Sequence, residues 1–346
     1  MIKISVWYII LAIFVFGFLI FIHEFGHFLC AKAFGVGIKE FSIGMGPKIA
    51  KWKSQESGTQ FALGVLPIGG YVSMVGEDEE SDSENSFNNK PVWQRLLIVL
   101  AGPIMNLLIG FIVMIILLNT VGNLYSNTIY YDNTANAVTQ SYGIQDGDTI
   151  LKVGNTKVHT WYEINYEITN QGFEPIDITI ERSGEKLVIE NVVFPTDQSS
   201  GVVFGIADFY PRVEEFNFIN LLKHSFFCSA STVKMVIDSF IDLFRGRYGI
   251  EAMTGPVGLT QTIGNFASRG LYSFLNIFVI ITINLGVFNL FTIPALDGGR
   301  ILFLLIELVI GRKLNPKVEG YINFVSFLLL LGLALVVTFN DIIRLF

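Results

Sequence analysis

The sequence predicts a polytopic α-helical membrane protein with four transmembrane helices and one polar domain of mixed strands and helix outside the membrane. Hydrophobic residues make up 51% of the 346 residues and charged residues only 15%, whereas charged residues are about a quarter of a soluble domain. Four runs lack charged residues and approach the roughly 20 apolar residues needed to cross a bilayer. They are 4–22, 96–118, 271–296 and 320–340.

The first run continues directly into His23 and Glu24 and is longer than the apolar core of a signal peptide. We therefore interpret it as a retained transmembrane helix. Residues 301–310 are too few to cross the bilayer and predict a short helix at the membrane face. Residues 216–244 carry charged side chains that would be costly inside lipid, so they predict an amphipathic helix at the membrane surface.

Basic residues in the short loops predict the orientation, because such loops are cytosolic. Seven lie between the first and second runs: Lys32, Lys39, Lys48, Lys51, Lys53, Lys90 and Arg95. Four lie between the third and fourth runs: Arg300, Arg312, Lys313 and Lys317. Both loops should be cytosolic, which places both termini and the long segment 119–268 outside.

Residues 123–207 are polar and contain short strand-like runs separated by turn signals. Runs 176–181 and 187–193 predict strands, Ser183 and Gly184 predict a turn between them, and 161–171 predict a helix. The chain is therefore divided into a first half of a membrane core, a polar domain, a surface helix with its linker, and a second half of the core. Their bounds are 1–122, 123–210, 211–268 and 269–346.

The remaining composition limits the possible partners and chemistry. No basic tract of the kind that binds nucleic acid is present, so a nucleic-acid partner is not expected. The acidic stretch 77–86 supplies much of the net charge of −7 and predicts a solvated cytosolic loop without chemistry of its own. Cys30 and Cys228 are far apart in apolar or helical sequence, so we expect buried free thiols and not a disulfide.

His23, Glu24 and His27 form an H-E-x-x-H motif. Residues i and i+4 share one face of a helix, so both imidazoles can reach a single Zn²⁺. Glu24 then projects beside the metal, where it can accept a proton from a zinc-bound water. An alternative is that the three side chains simply lie in the membrane interface, wetted by headgroup water, but an interface does not require this spacing.

A catalytic zinc has three protein ligands and one open position, so a third ligand is required. Asp297 ends the third apolar run, and the predicted orientation brings it to the same cytosolic side as His23 and His27. A helix cap is the alternative role for Asp297. Pro294 should break the third helix just before this residue, and Gly102-Pro103 should break the second.

Five segments occur together in one order: HEFGH at 23–27, LPIGGYV at 66–72, AGPIMN at 101–106, GPVG at 255–258 and NLFTIPALDGGR at 289–300. With them the chain resembles the site-2 protease family of intramembrane zinc proteases. The likeness is to its bacterial branch, in which one PDZ domain is inserted between the second and third core helices. The resemblance implies that His23, His27 and Asp297 are zinc ligands and that Glu24 is the general base.

The resemblance also implies substrate-binding residues. Asn289 would hold the substrate backbone near the metal. Gly69, Gly70 and Tyr71 would belong to a membrane re-entrant β-hairpin whose edge pairs with an unwound substrate. Such pairing is physically reasonable because a transmembrane substrate helix must be extended before it can be cleaved. An ordinary turn at Gly69-Gly70 is the alternative. Thr292 stands where the family usually has a proline, so a softer helix break is expected.

Residues 142–151, YGIQDGDTIL, resemble a turn and strand of bacterial PDZ domains. The resemblance implies that Val203–Ile206 is the peptide-binding strand of such a domain. A plain structural strand remains the alternative, because the composition of this segment does not mark a peptide groove.

The predicted function is a zinc-dependent intramembrane endopeptidase that uses a Glu24-activated, zinc-bound water. The substrates implied are transmembrane segments of membrane-anchored proteins, either anti-sigma-type regulators or remnant signal peptides. The lipid bilayer and a peptide ligand of the PDZ domain are the other expected partners. The resemblance implies the bacterial cytoplasmic membrane, and the basic loops predict that both termini and the PDZ domain are outside and the active site is toward the cytosol.

Two other function classes fit the sequence less well. A binding module with an inert membrane anchor is disfavoured by the intact set of His23, Glu24, His27 and Asp297. A metal transporter is disfavoured by four spans with one clustered site and no evident repeat of it.

Overall fold

The structure, a computed structural model, describes residues 6–77, 82–132, 137–198, 202–247, 249 and 253–344. Contacts divide the chain into two compact units. The first unit is Met1–Gly110 with Ser239–Phe346, and the second is Phe111–Asp238. The helices are α1 (Val6–Ala33), α2 (Val92–Val121), α3 (Trp161–Gln171), α4 (Phe218–Phe244), α5 (Pro256–Ser268), α6 (Leu271–Leu290), α7 (Asp297–Ile310) and α8 (Pro316–Ile343). The strands are β1 (Ile38–Lys53), β2 (Gln60–Met74), β3 (Leu124–Tyr130), β4 (Thr149–Val153), β5 (Thr156–Lys157), β6 (Ile176–Arg182), β7 (Glu185–Val192), β8 (Thr196–Asp197), β9 (Phe204–Gly205) and β10 (Tyr210–Glu214).

Within the described residues, four helices are long and apolar enough to cross a membrane: α1, α2, α6 and α8. They coincide with the four predicted spans, so the chain is an integral membrane protein with a sheet-rich part. The helix α1 continues past the apolar run to Ala33 and carries the H-E-x-x-H motif on its last turns. The helix α6 ends at Leu290, earlier than the end of the apolar run, because Pro294 cannot continue it.

The expected break at Gly102-Pro103 was wrong, because α2 is helical throughout with Pro103 inside it. Close packing on both sides accounts for its continuity. A Cβ at Gly26 of α1 would lie 2.3 Å from the carbonyl oxygen of Ala101, and one at Gly286 of α6 would lie 3.1 Å from that of Pro103. Neighbouring helices thus support a proline that would break an isolated helix.

In the first unit, β1 and β2 form an antiparallel sheet with repeated register shifts. The first part of β1 has partners in both halves of β2, since Phe41 pairs with Val72 and with Phe61. Gly70 pairs with Ile43, so Gly69-Gly70 lies within a strand and not in the turn that joins the strands. Gly69 has a φ of 79°, a conformation that glycine adopts without strain.

The end of β2, residues 70–74, lies at an edge of this sheet. It pairs with residues 38–43 on one side, and among the described residues no strand pairs with its other side. A strand edge that lacks a strand partner can accept an extended peptide.

The second unit contains a six-stranded sheet in the order β10-β3-β4-β6-β7, with β5 paired to β4. The predicted strands and helix of this region are confirmed as β6, β7 and α3. Ser183 and Gly184 both have positive φ values, 53° and 84°, which is the geometry of a tight β-hairpin turn. A capping box between Thr160 and Glu163 begins α3. Apolar side chains from the sheet and α3 share one buried core.

Val203–Ile206, the predicted peptide-binding strand, includes the short strand β9, which pairs with β8. Gly205 lies directly against the end of α3, because a Cβ there would meet the carbonyl oxygen of Ile168 at 2.3 Å. Peptide binding by this segment stays a prediction.

The helix α4 was predicted from its sequence, and its charged residues contact β10 and α3 in the second unit. Lys223 and His224 contact Glu214 at 3.1 and 2.7 Å, and Lys234 contacts Glu167 at 3.0 Å. These ion pairs explain why a helix with an apolar face carries so many titratable side chains. Both cysteines are free, as expected, but only Cys228 of this helix is buried, whereas Cys30 is partly exposed.

The acidic stretch 77–86 was expected to be solvated, and this was wrong for Glu77 and for Ser86, which is fully buried. The Glu77 side chain is only 7% exposed and forms an ion pair with Arg300 of α7. Residues 78–81 of the stretch lie outside the described residues. An ion pair between distant parts of the chain cannot be recognised from local composition.

Candidate metal centre

His23, His27 and Asp297 converge at one point of the first unit. Oδ2 of Asp297 lies 2.9 Å from Nε2 of His23 and 3.3 Å from Nε2 of His27. The two Nε2 atoms are 3.2 Å apart. The helical spacing of α1 supplies the two imidazoles, and the first residue of α7 supplies the carboxylate.

The segment between α6 and α7 reverses sharply to bring Asp297 to the imidazoles. Ala295 has a φ of 73°, a rare backbone conformation for a residue with a Cβ. Gly298 is required for close packing, since a Cβ there would lie 2.0 Å from the carbonyl oxygen of Phe291. The N-cap of α7 is Leu296, and Asp297 is the first residue of the helix proper, so the structure does not support the helix-cap alternative for Asp297.

The three side chains fit a tetrahedral zinc ion. Ligand atoms at about 2.0–2.2 Å from Zn²⁺ in a tetrahedron are about 3.3–3.6 Å from one another, and the three donor separations here, 2.9, 3.2 and 3.3 Å, lie at or slightly below this range. Oδ2 of Asp297 is buried and makes no hydrogen bond within the described structure, although both imidazoles are near. Two imidazoles and a carboxylate are a ligand set that binds zinc, and they leave one position open.

Two groups of α2 contact the Nδ1 atoms of the two imidazoles, while the Nε2 atoms face Asp297. Nδ1 of His27 lies 2.8 Å from the carbonyl oxygen of Ile98 and donates to it when Nε2 is the free nitrogen. Nδ1 of His23 lies 3.3 Å from the side-chain amide of Asn106. Gly102 gives His27 room, because a Cβ there would lie 2.3 Å from its Nε2.

These α2 residues were not assigned roles from the sequence, in which AGPIMN served only as a family marker. Every residue has a backbone carbonyl, so the sequence cannot show that the carbonyl of Ile98 accepts a hydrogen bond from a histidine. Asn106 does carry a signal in the sequence, because an isolated polar residue in an apolar span is expected to be functional.

Glu24 and the edge of β2 line one cavity of about 500 Å³ together with His27 and Asp297. The other lining residues of this cavity are Tyr71, Val72, Ser73, Met74, Glu77, Val99, Ala295, Leu296, Arg300 and Asn323. A Cβ at Gly70 would lie 3.1 Å from Cγ of Glu24, so the strand runs directly beside this carboxylate. A peptide on the strand edge would therefore lie next to Glu24, His27 and Asp297.

The predicted substrate-binding residues differ in how they relate to this cavity. Tyr71 lines it, and its hydroxyl donates to Glu40 over 2.8 Å. Gly69 and Gly70 belong to the same strand. Asn289 lies in the last turn of α6 and is not among the described residues that line the cavity.

Comparison with known proteins gives a consistent result across the whole chain. The model of "Peptidase family M50" matches residues 11–333. A Clostridium acetobutylicum protein provisionally named a zinc metalloprotease is 35% identical, and the alignment covers 97% of both chains.

Two further relatives carry names that describe a protease. Zinc metalloprotease RasP of Geobacillus kaustophilus is 29% identical, with 98% of each chain covered. The Regulator of sigma-W protease RasP of Bacillus subtilis is 27% identical, with 98% of this chain and 99% of the relative covered.

Proposed function

Because the chain belongs to peptidase family M50, the zinc-dependent site-2 protease family, we propose that it hydrolyses peptide bonds within the membrane-spanning segments of its substrates. The observation that carries this proposal is the position of the H-E-x-x-H motif. It lies on a helix apolar enough to cross a membrane, beside a cavity lined by an open strand edge. A protease that acted only on soluble substrates would not need its metal ligands on such a helix.

His23, His27 and Asp297 would hold the zinc ion through two Nε2 atoms and one carboxylate oxygen. Bound there, zinc supplies Lewis acidity that lowers the pKa of a water molecule to about 7 and polarises the scissile carbonyl. Ile98 keeps a hydrogen on Nδ1 of His27 and so leaves Nε2 free for the metal.

Glu24 acts as the general base and then as the general acid. Its carboxylate takes a proton from the attacking water while the water oxygen forms a bond to the carbonyl carbon. The same group then gives the proton to the leaving amide nitrogen as the carbon–nitrogen bond breaks. Water and peptide are consumed, and one carboxylic acid and one amine result.

The edge of β2 would hold the substrate in an extended conformation. A helix hides its amide bonds from attack, so a transmembrane substrate must unwind before cleavage, and backbone pairing to residues 70–74 stabilises the unwound state. We propose that this hairpin is re-entrant. The role of Asn289 in holding the substrate backbone rests on the family resemblance.

We propose membrane-anchored regulators of sigma factors as the first substrate class to test. The Bacillus subtilis relative is named for the regulation of sigma-W. Remnant signal peptides are the second class. We further propose that the sheet of the second unit is an extracytoplasmic PDZ domain that can take a peptide ligand. In this proposal both termini are outside the bacterial cytoplasmic membrane and the metal centre is toward the cytosol.

The direct test is cleavage by the purified full-length protein in detergent. Two tagged reporters would be used, one with the transmembrane segment of an anti-sigma regulator and one with a signal peptide, and mass spectrometry would locate the cut. We expect a cut inside the apolar segment that a zinc chelator abolishes and that added Zn²⁺ restores. Cleavage only outside the apolar segment would contradict the intramembrane activity. Binding without any cleavage would favour a binding module with an inert membrane anchor.

A further inference from the structure

We propose that Asn106 is a positioning residue of the metal centre: its side-chain oxygen accepts a hydrogen bond from Nδ1 of His23 and so keeps Nε2 free to bind zinc. This inference rests on the proposed metal ligands. Asn106 lies in α2 and is fully buried, at 0% exposure. Burying an amide in an apolar helix is costly unless the amide is hydrogen-bonded.

The geometry at His23 determines which nitrogen carries the hydrogen. Nε2 is the atom that faces both Asp297 and His27, at 2.9 and 3.2 Å. A neutral imidazole that offers its Nε2 lone pair to a metal must carry its hydrogen on Nδ1. That hydrogen needs an acceptor, and the group within reach is the Asn106 amide at 3.3 Å.

The amide of Asn106 can be that acceptor in one of its two orientations. With Nδ2 toward His23, Nδ1 would have to accept, which forces the hydrogen onto Nε2 and blocks the metal position. In that orientation Oδ1 is also buried without a hydrogen-bond partner in the described structure. Which amide atom is oxygen is decided by the hydrogen-bond network. Rotating the amide by 180° places Oδ1 on the Nδ1 hydrogen, so the metal-binding state of His23 selects this orientation.

The arrangement parallels that of the other imidazole. Ile98, which accepts from Nδ1 of His27 at 2.8 Å, is two helical turns before Asn106, so both acceptors lie on one face of α2. Each imidazole is thus held at Nδ1 by α2 and presents Nε2 to the same point. The amide is neutral, so it fixes the tautomer without adding a charge beside Glu24 and Asp297.

The consequence is measurable as zinc affinity. Outer hydrogen-bond partners of metal-binding histidines typically change metal affinity by about 10–100-fold when removed. Asn106→Leu keeps a similar size but has no acceptor, and Asn106→Asp keeps an acceptor oxygen at the same position. Asn119→Leu is a matched control, because Asn119 is an exposed residue in the same helix.

The experiment measures the zinc dissociation constant of the purified full-length protein in detergent, by competition with a fluorescent zinc chelator. Size-exclusion chromatography and thermal melting establish that each variant is folded. We expect Asn106→Leu to bind zinc about 10–100-fold more weakly, and Asn106→Asp and Asn119→Leu to bind within about threefold of wild type. Unchanged zinc affinity in folded Asn106→Leu would overturn the proposal, and so would equal losses in Asn106→Leu and Asn106→Asp.

A measurement on the wild-type protein covers the case in which Asn106→Leu does not fold. Nitrogen NMR of the zinc-loaded protein with labelled histidine reports which ring nitrogen carries the hydrogen. The proposal requires hydrogen on Nδ1 of His23, assigned by comparison with His23→Ala, and a hydrogen on Nε2 would contradict it. Absence of zinc binding by the wild-type protein would instead contradict the proposed metal centre itself, so the two failures are distinguishable.

Discussion

Gly102 of α2 lies so close to His27 of α1 that a Cβ at this glycine would be 2.3 Å from Nε2 of the imidazole. This distance is far shorter than any contact between non-bonded heavy atoms, and Nε2 is the atom proposed to bind zinc. The helix–helix contact that supports the metal centre therefore leaves no space for even the smallest side chain.

Gly102→Ala is predicted to lower zinc content strongly while leaving the chain inserted in the membrane. The added methyl group must displace His27, and α2 cannot move away from α1 because Gly286 of α6 packs against the carbonyl oxygen of Pro103 on its other side. Zinc per protein, measured by elemental analysis after purification, checks this. Gly17→Ala is the control, since Gly17 of α1 has nothing within 4 Å of its Cβ position. Full zinc content in Gly102→Ala would show that the helices separate easily.

His23→Ala, His27→Ala and Asp297→Ala are each predicted to lose zinc, because a catalytic site has three protein ligands and each donor is essential to it. Wild-type protein should contain about one zinc ion per chain on the same grounds. Elemental analysis and a chelator competition assay measure this. If Asp297→Ala retained zinc with wild-type affinity, the third ligand would have to be a different residue.

The orientation in the membrane is predicted from the basic loops and can be tested by cysteine labelling. In a background with Cys30 and Cys228 replaced by alanine, Asn155→Cys should react with an impermeant maleimide added to intact cells. Glu84→Cys should react only after the membrane is permeabilised. Both substituted side chains are exposed, so access to solvent in the folded protein does not limit the reaction. The reverse labelling pattern would overturn the orientation.

The contact between Glu214 and α4 predicts a loss of stability in acid. Burial by itself would raise the pKa of Glu214, but hydrogen bonds from His224 and Lys223 outweigh it and hold the pKa below its ordinary value of 4.5. A carboxylate with a lowered pKa stabilises the folded state above its unfolded pKa, and this contribution is lost as the pH falls through the folded value.

We therefore expect wild type to melt at a higher temperature than Glu214→Gln near neutral pH, and the difference to shrink below about pH 4.5. Thermal unfolding of both proteins across this range provides the measurement. Glu215→Gln controls for the change of net charge, since Glu215 is the neighbouring carboxylate. If the difference in melting temperature between wild type and Glu214→Gln did not change with pH, the ionised Glu214 carboxylate could not be its cause.

Much of the architecture could be predicted from the sequence because its causes are local. Apolar runs of bilayer length specify the four long helices, and alternating strand-like runs around Ser183-Gly184 specify a hairpin. The spacing of His23 and His27 places both imidazoles on one helix face whatever surrounds them. The agreement of these features with the structure reflects periodicities of 3.6 and 2 residues that every chain must obey.

The remaining features depend on contacts between distant segments. Pro103 should end a helix by its own chemistry, yet it lies inside α2 because packing against α1 and α6 supports it. The residues around Glu77 have the composition of a solvated loop, but the Glu77 side chain is buried and forms an ion pair with the partly exposed Arg300. The carbonyl of Ile98 contacts His27 through the backbone, which no residue type encodes. Such contacts become visible only when the helices are assembled.

The central claim is that Glu24 transfers the proton during hydrolysis at a zinc site that is otherwise complete. Glu24→Gln keeps the size of the side chain and the helix propensity and removes no proposed ligand. The decisive measurement is the cleavage rate of a transmembrane reporter by this variant, with its zinc content determined on the same preparation. We predict wild-type zinc content, retained substrate binding and a cleavage rate about 10²–10⁴-fold below wild type. Near-normal cleavage by zinc-loaded Glu24→Gln would contradict this mechanism.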